Sequence, residues 1–213
     1  MNIIHMKKAL ITGGSSGLGY ELVKILNSEY NFTNISRTKC DIAEQNILLD
    51  LSNSKKLDTL LEEIDYGYDL VVLNAGVLHW KKLGDFSNKE ILDDFNINII
   101  SQIKILNKII KKLEKKEATI IIIGSVASFY PIHEKGSVYI STKSGVRSLI
   151  DSIIKDHPKI RTIGVHPRGF TSSLHKKSGT KRKNKNRPSS KNIAEKIIDI
   201  LKNSNDNTNI ILD

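Results

Sequence analysis

Residues 12–19 read Thr12-Gly13-Gly14-Ser15-Ser16-Gly17-Leu18-Gly19, between an apolar run ending in Ala9-Leu10-Ile11 and a stretch where Leu22, Val23, Ile25 and Leu26 fall largely on one helical face. The glycines therefore stand where a buried strand turns sharply into a helix. Glycine admits positive φ and carries no Cβ, while the free N–H groups and dipole of the first helical turn attract an anion. The ligand this points to is a dinucleotide pyrophosphate. Gly13-Gly14-Ser15-Ser16-Gly17 also satisfies G-x-S-x-G, the nucleophile elbow of a hydrolase. Position argues against the elbow, which needs an earlier strand and loop for its oxyanion hole; the segment before Gly13 has room for one strand.

Working outward, apolar runs alternate with helical periodicity. Phe32 to Ser36 reads as a second strand, Asn46 to Leu51 as a third, Ser54 to Ile64 as a helix, and Asp69 to Asn74 as a fourth strand ending in Asn74-Ala75-Gly76. Ser87 and Glu90 have capping-box spacing, which predicts one long helix from there to about Lys116. Thr119 to Gly124 is a fifth strand, nearly all isoleucine, as a strand covered on both faces should be. A helix over Tyr139 to Asp156, a strand over Lys159 to Val165, a helix from Ser189 or Ser190 through Lys202 and a last strand, Asn209 to Leu212, complete the pattern. The expected fold is α/β: a doubly wound parallel sheet of about seven strands with helices on both faces. Only thirteen positions separate Arg37 from Asp50, so the connection between strands two and three is expected to be shortened.

The 213 residues suit one domain, 1–213, and the single cysteine, Cys40, admits no internal disulfide. The N-terminal residues lack a signal peptide's apolar core, and no apolar run approaches a membrane span, so a cytoplasmic location is expected. The net charge of +10 is uneven: eight basic residues and no acidic ones lie between Lys176 and Lys191, so only +2 belongs to the rest of the chain. That stretch lacks interleaved aromatics, which argues against nucleic-acid binding. The six histidines show no ligand spacing with Cys or acidic residues, and no metal is expected.

Tyr139 and Lys143 are four apart and share a helical face. A free tyrosine has a pKa of about 10, and a nearby ammonium favours its phenolate, so the pair can work as an acid/base unit. A surface Tyr and Lys one turn apart is the blander alternative. Ser125 ends a buried strand, where sheets of this class place their sites.

The glycine turn, Asn74-Ala75-Gly76, Gly124-Ser125-Val126-Ala127-Ser128, Tyr139-Ile140-Ser141-Thr142-Lys143 and Asn98 occur together in this order. In this the chain resembles the short-chain dehydrogenase/reductase family, in its compact single-domain, Rossmann-like branch. The resemblance implies a catalytic set of Tyr139, Lys143, Ser125 and Asn98, with Ser128 and Asn96 as alternatives to the last two. It implies a dinucleotide site formed by Gly13, Ser15, Ser16, Gly17, Leu18, Gly19, Asp50, Leu51, Asn74, Ala75 and Gly76, with Tyr139 and Lys143 reaching the ribose side. Thr171 or Ser172 would contact the carboxamide or the pyrophosphate, and the backbone at Pro167, around the nicotinamide amide, is expected to differ because the usual Pro-Gly appears here as Pro167-Arg168-Gly169. After the second strand comes Ser36-Arg37 in place of a carboxylate, and a guanidinium can pair with a 2′-phosphate. NADP(H) is thus expected over NAD(H).

The resulting expectation is an oxidoreductase that moves hydride between NADPH and a ketone or aldehyde, reversibly a secondary alcohol. The alternative is a non-catalytic, dinucleotide-sensing regulatory protein on the same fold. The basic segment 172–190 occupies the substrate-loop position and is expected to act as a lid, open to an anionic substrate. The apolar breadth of the long helix and the Tyr139 helix allows the homodimer or homotetramer that the resemblance implies. His79 and Trp80, and His133, can line the substrate pocket or be ordinary loop residues.

Overall fold

The computed structural model describes residues 6–64, 67–130, 134–171 and 187–212. Seven strands form one parallel sheet in the order β3-β2-β1-β4-β5-β6-β7. They are β1 (Lys7–Thr12), β2 (Tyr30–Ser36), β3 (Gln45–Leu48), β4 (Leu70–Leu73), β5 (Thr119–Ile123), β6 (Arg161–Pro167) and β7 (Thr208–Leu212). The helices are α1 (Gly17–Leu26), α2 (Ser54–Glu63), α3 (Asn88–Phe95), α4 (Ser101–Lys116), α5 (Ser137–Asp156) and α6 (Ser190–Asn203). The expected doubly wound α/β architecture is what the chain adopts.

Two apolar layers flank the sheet because parallel strands are covered on both faces. Leu22, Val23 and Leu26 of α1 and Ile193, Ile197 and Ile198 of α6 pack with Ile11, Phe32 and Ile163 on one side. Leu57, Leu61, Ile105, Ile109, Leu113, Val146 and Ile150 pack with Leu10, Val71 and Ile120 on the other. The strand order reverses between β1 and β4, which are paired Ala9 with Leu70 through Thr12 with Leu73. A crevice opens beyond the carboxyl ends of the strands at such a switch point.

Two elements differ from the sequence expectation. The third strand stops at Leu48, since Asp50 turns the chain out of the ladder: its carboxylate accepts from Ser52 N–H and its carbonyl from Asn53 N–H. Asn53 then caps α2 by accepting from Lys56 N–H. The long helix starts with the Ser87–Glu90 capping box as expected, but widens into a π-helical turn over Asn96–Ile100 before α4. Such turns are frequent at functional sites.

No helix replaces the shortened β2–β3 connection. Asn34, fully buried, accepts from Gly14 N–H at 2.9 Å and donates to Ser36 Oγ and Asn46 Oδ1. Asn46 in turn exchanges hydrogen bonds with both backbone groups of Cys40, a buried free thiol. Side-chain amides thus hold this edge against the glycine turn. Among the described residues, no helix is long and apolar enough to cross a membrane.

Candidate active site

The glycine turn is built from backbone. Gly13 and Gly17 have φ of +70° and +59°, a region costly for other L-residues. At Gly19 an added Cβ would lie 2.3 Å from Gly13 O and 2.5 Å from Asn74 Nδ2, so only glycine lets α1 sit this close to the strand ends. Asn74 fastens the turn by donating to Thr12 O and Gly13 O, and Thr12 Oγ1 accepts from the N–H groups of Asn74 and Ala75, each at 3.1 Å. Ser16 begins α1 without a side-chain cap. The first-turn N–H groups, which have no acceptor within the helix, are thereby left for an anion.

A cleft of about 540 Å³ runs from this turn across the switch point. Gly13, Ser15, Ser16, Gly17 and Leu18 line it together with Arg37, Asp50, Leu51, Asn74, Ala75, Gly76, Tyr139 and Lys143. Ile35, Ser36, Thr38, Leu49, Val77, Leu78, His79, Ile97, Ile123, Gly124 and Phe170 complete the lining. Gly19 is buried behind the turn and shapes the cleft without lining it. Burial by itself would raise the Asp50 carboxyl, but hydrogen bonds from Ser52 and the charges of Arg37 and Lys89 outweigh it and hold the group below the usual range.

Tyr139 and Lys143 stand on α5 with 9% and 4% exposure. Lys143 Nζ lies 5.9 Å from the Tyr139 ring centroid and donates to Ile123 O at 3.0 Å. Burial pushes its pKa down to about 8, so this ammonium gives up its proton far more readily than a surface lysine. The position a Cβ would take at Gly76 is 3.9 Å from Lys143 Nζ and 3.4 Å from Asn98 Oδ1, which brings these three residues to one spot.

Asn98 is fully buried in the π-helical turn and its side chain is fully used. It accepts from Val77 N–H at 2.8 Å and donates to Val77 O and Thr142 Oγ1, both at 3.0 Å. Thr142 passes the contact on by donating to Tyr139 O. Asn96 instead donates to Ser52 O near α2, so of the two asparagines it is Asn98 that ties the loop after β4 to the Tyr139 helix.

Ser125 is half-buried beside lining residue Gly124, and its Oγ accepts from Ala127 N–H at 3.2 Å. The hydroxyl of Ser128 turns inward to donate to Ser125 O. Behind both sits His166, fully buried, which no spacing in the sequence marks. Its Nδ1 accepts from Ser125 N–H at 3.2 Å, and Nε2 is 2.6 Å from Asn209 Oδ1. Asn209 donates to Asp151 Oδ1 at 2.6 Å. These partners fit the neutral Nε2–H tautomer, and burial lowers the ring's pKa accordingly. Phe129 meets the ring edge-on at 4.9 Å, and a Cβ at Gly124 would strike it at 2.3 Å.

Pro167 is buried at the end of β6, paired with Leu212, and Thr171 is exposed; neither lines the cleft. The lining residue of that segment is Phe170. Thr171 N–H donates to Pro188 O, and Thr171 O accepts from Ser190 Oγ. Ser172, His5, His133, His175 and most of the basic segment lie outside the described residues. Among the described residues, no three His, Cys, Asp or Glu side chains are grouped to hold a metal ion.

A sequence profile of the family described as short chain dehydrogenase matches residues 7–183. An uncharacterized oxidoreductase of Saccharomyces cerevisiae is 34% identical over 136 residues, 55% of this chain and 42% of that protein. An alcohol dehydrogenase from the archaeon Thermococcus sibiricus, complexed with 5-hydroxy-NADP, has a similar structure: TM-score 0.82, 23% identity, 98% of this chain and 95% of that one. A 4-hydroxyisoleucine dehydrogenase complexed with NADH gives 0.83 at 17% identity over 97% of each chain. At such identities these two structures speak for the fold alone. The chain spans 42%, 50% and 64% of the length of three curated relatives that it matches.

Proposed function

The chain belongs to the short chain dehydrogenase family, and from that premise we propose that it is an NADPH-dependent carbonyl reductase, reversible toward a secondary alcohol. The observation that carries this reading is the meeting of Tyr139 and Lys143 with the uncapped glycine turn in one cleft. The residues there fit a dinucleotide. The turn Gly13–Gly19 would take the pyrophosphate, Asp50 and Leu51 the adenine, and Asn74–Gly76 the ribose side. Arg37 stands exposed where β2 ends, and no carboxylate follows Ser36 to take a ribose 2′-OH, which supports NADPH over NADH. The nicotinamide cofactor supplies or accepts the hydride when bound.

The chain's own residues manage the proton and the substrate. In the reducing direction Tyr139 donates its phenolic proton to the substrate oxygen, and the Lys143 ammonium stabilises the phenolate left behind. Ser125 Oγ hydrogen-bonds the same oxygen and orients it. Asn98 holds Val77 and Thr142 fixed, so the loop after β4 and the Tyr139 helix keep their spacing. A purely regulatory protein that only senses dinucleotide has no use for the acid/base pair, and nothing in the site favours that alternative.

Replacing Tyr139 by Phe removes the proton and leaves the ring. Tyr139→Phe is expected to lower turnover of ketones or aldehydes by about 10²–10⁴-fold, with NADPH affinity, measured by fluorescence titration, nearly intact. Unchanged turnover eliminates Tyr139 as the acid.

A further inference from the structure

One acid–base pair at the cleft plays no part in that scheme. Asp94, on α3, is fully buried four residues before Asn98. Its Oδ1 lies 2.8 Å from His79 Nδ1, and its Oδ2 has no partner among the described residues. An unsatisfied buried polar atom costs roughly 1–3 kcal/mol, so packing alone would favour an apolar side chain here. Burial raises the carboxyl's pKa against the opposing pull of His79.

His79 reaches the cleft. It lines the wall with Val77, Leu78 and Tyr139 and keeps 27% of its side chain exposed. The loop that carries it is fixed at both ends: Asn98 binds Val77 through both backbone groups, and Gly136 N–H donates to Lys81 O at 2.9 Å. Trp80 lies so close to Gly136 that a Cβ there would be 2.3 Å from its ring, which seats the loop on the residue before the Tyr139 helix. With Nδ1 engaged by Asp94, Nε2 is the nitrogen left for a ligand.

The state of the pair sets what Nε2 offers. A protonated Asp94 donates to Nδ1 and leaves Nε2–H as a donor; an ionised Asp94 beside an imidazolium does the same. Only an ionised carboxylate with a neutral ring makes Nε2 an acceptor, and that state leaves a net charge on a pair with a buried, half-satisfied carboxylate. The burial of Asp94 with Oδ2 unpartnered among the described residues favours the two states in which Nε2–H is a donor.

Resting on the reductase reading above, we infer that His79 is a specificity-determining residue whose Nε2–H, held by Asp94, binds a second acceptor oxygen of the substrate. The substrate class is a carbonyl compound that carries a carboxylate or a further carbonyl besides the one reduced.

The test compares NADPH-dependent reduction of 3-oxobutanoate, 4-oxopentanoate and 2,4-pentanedione with that of 2-pentanone and 2-hexanone. Wild-type protein is expected to favour at least one of the oxygen-bearing compounds at least tenfold in kcat/KM. His79→Phe should erase most of that preference through KM. His79→Gln, whose amide N–H lies near the Nε2 position, should restore part of it. A preference unchanged in His79→Phe, an equal loss on both sets, or a wild type that lacks the preference or reduces neither set overturns the inference. Tyr139→Phe separates the two readings: it should abolish turnover of every compound, and if it does not, the reductase scheme fails on its own account.

Discussion

On one wall of the cleft the turn Thr12–Gly19 offers backbone N–H groups to a ligand, whereas on the other side Ser125, beside the lining residue Gly124, offers a hydroxyl backed by a file of side chains running through His166 and Asn209 to Asp151. The first wall tolerates no added atom at Gly19, and its function lies in backbone N–H groups that need no side chain. Both walls draw on partners far apart in sequence, but the second needs a donor or acceptor at every step from Ser125 to Asp151. The difference teaches where each wall is vulnerable: one to volume, the other to the loss of a donor or acceptor.

The largest effect is expected where volume meets backbone. Gly19→Ala puts a methyl 2.3 Å from Gly13 O, which must force the turn open, and NADPH affinity should fall more than a hundredfold by titration. Gly17→Ala is the control. Nothing lies within 4 Å of its added Cβ, so only the left-handed backbone resists, at a cost of about 1–2 kcal/mol. Similar losses in both variants would show that conformation, not close packing, governs this wall.

The asymmetry also decides what could be read from sequence. The turn, the Ser87–Glu90 cap, the isoleucine strand and the Tyr139–Lys143 pair are local patterns, and the parallel sheet follows from alternating strands and helices. The His166 file is not local: its partners lie 41 and 43 residues away, so no spacing marks it. Asn34 and Asn46 carry no spacing signal either, yet their side chains hold the edge where the connecting helix is missing. The π-helical turn at Asn96–Ile100 was equally hidden, because its apolar residues continue a helical pattern on either side. A buried polar residue in an otherwise apolar strand, such as His166 in Ile163-Gly164-Val165-His166, is the one signal that had been present.

On the serine wall the effect should be intermediate and chemical in kind. His166→Phe fills similar space but strips the acceptor from Ser125 N–H and the donor from Asn209. We expect kcat to fall about ten- to a hundredfold, in line with losing two buried hydrogen bonds at ~1 kcal/mol or more each, with NADPH affinity retained. His166→Asn can offer an oxygen near the Nδ1 position and should recover part of kcat. Equal loss in both variants would mean that ring volume matters here too, and the contrast between the walls would narrow.

Lys143 joins the walls, donating to Ile123 O two residues before Ser125 while its Nζ lies 3.9 Å from where a Cβ would stand on Gly76, and its burial gives the smallest of the three effects. The ordinary lysine value is 10.5 and the folded one about 8. Below pH 8 the folded protein carries the full cost of a buried ammonium. Between those two values the unfolded chain holds more protons than the folded one, so Lys143 makes stability rise with pH. Against Lys143→Met, which removes the titrating group and keeps the stem, wild-type stability should gain up to about 2 kcal/mol between pH 8 and 9.5. Paired urea unfolding curves measure it, since general alkaline effects act on both proteins and cancel in the difference. A flat difference would mean that the hydrogen bond to Ile123 O offsets the burial, leaving an ammonium with no depressed pKa that stays charged beside the Tyr139 phenolate across this whole range.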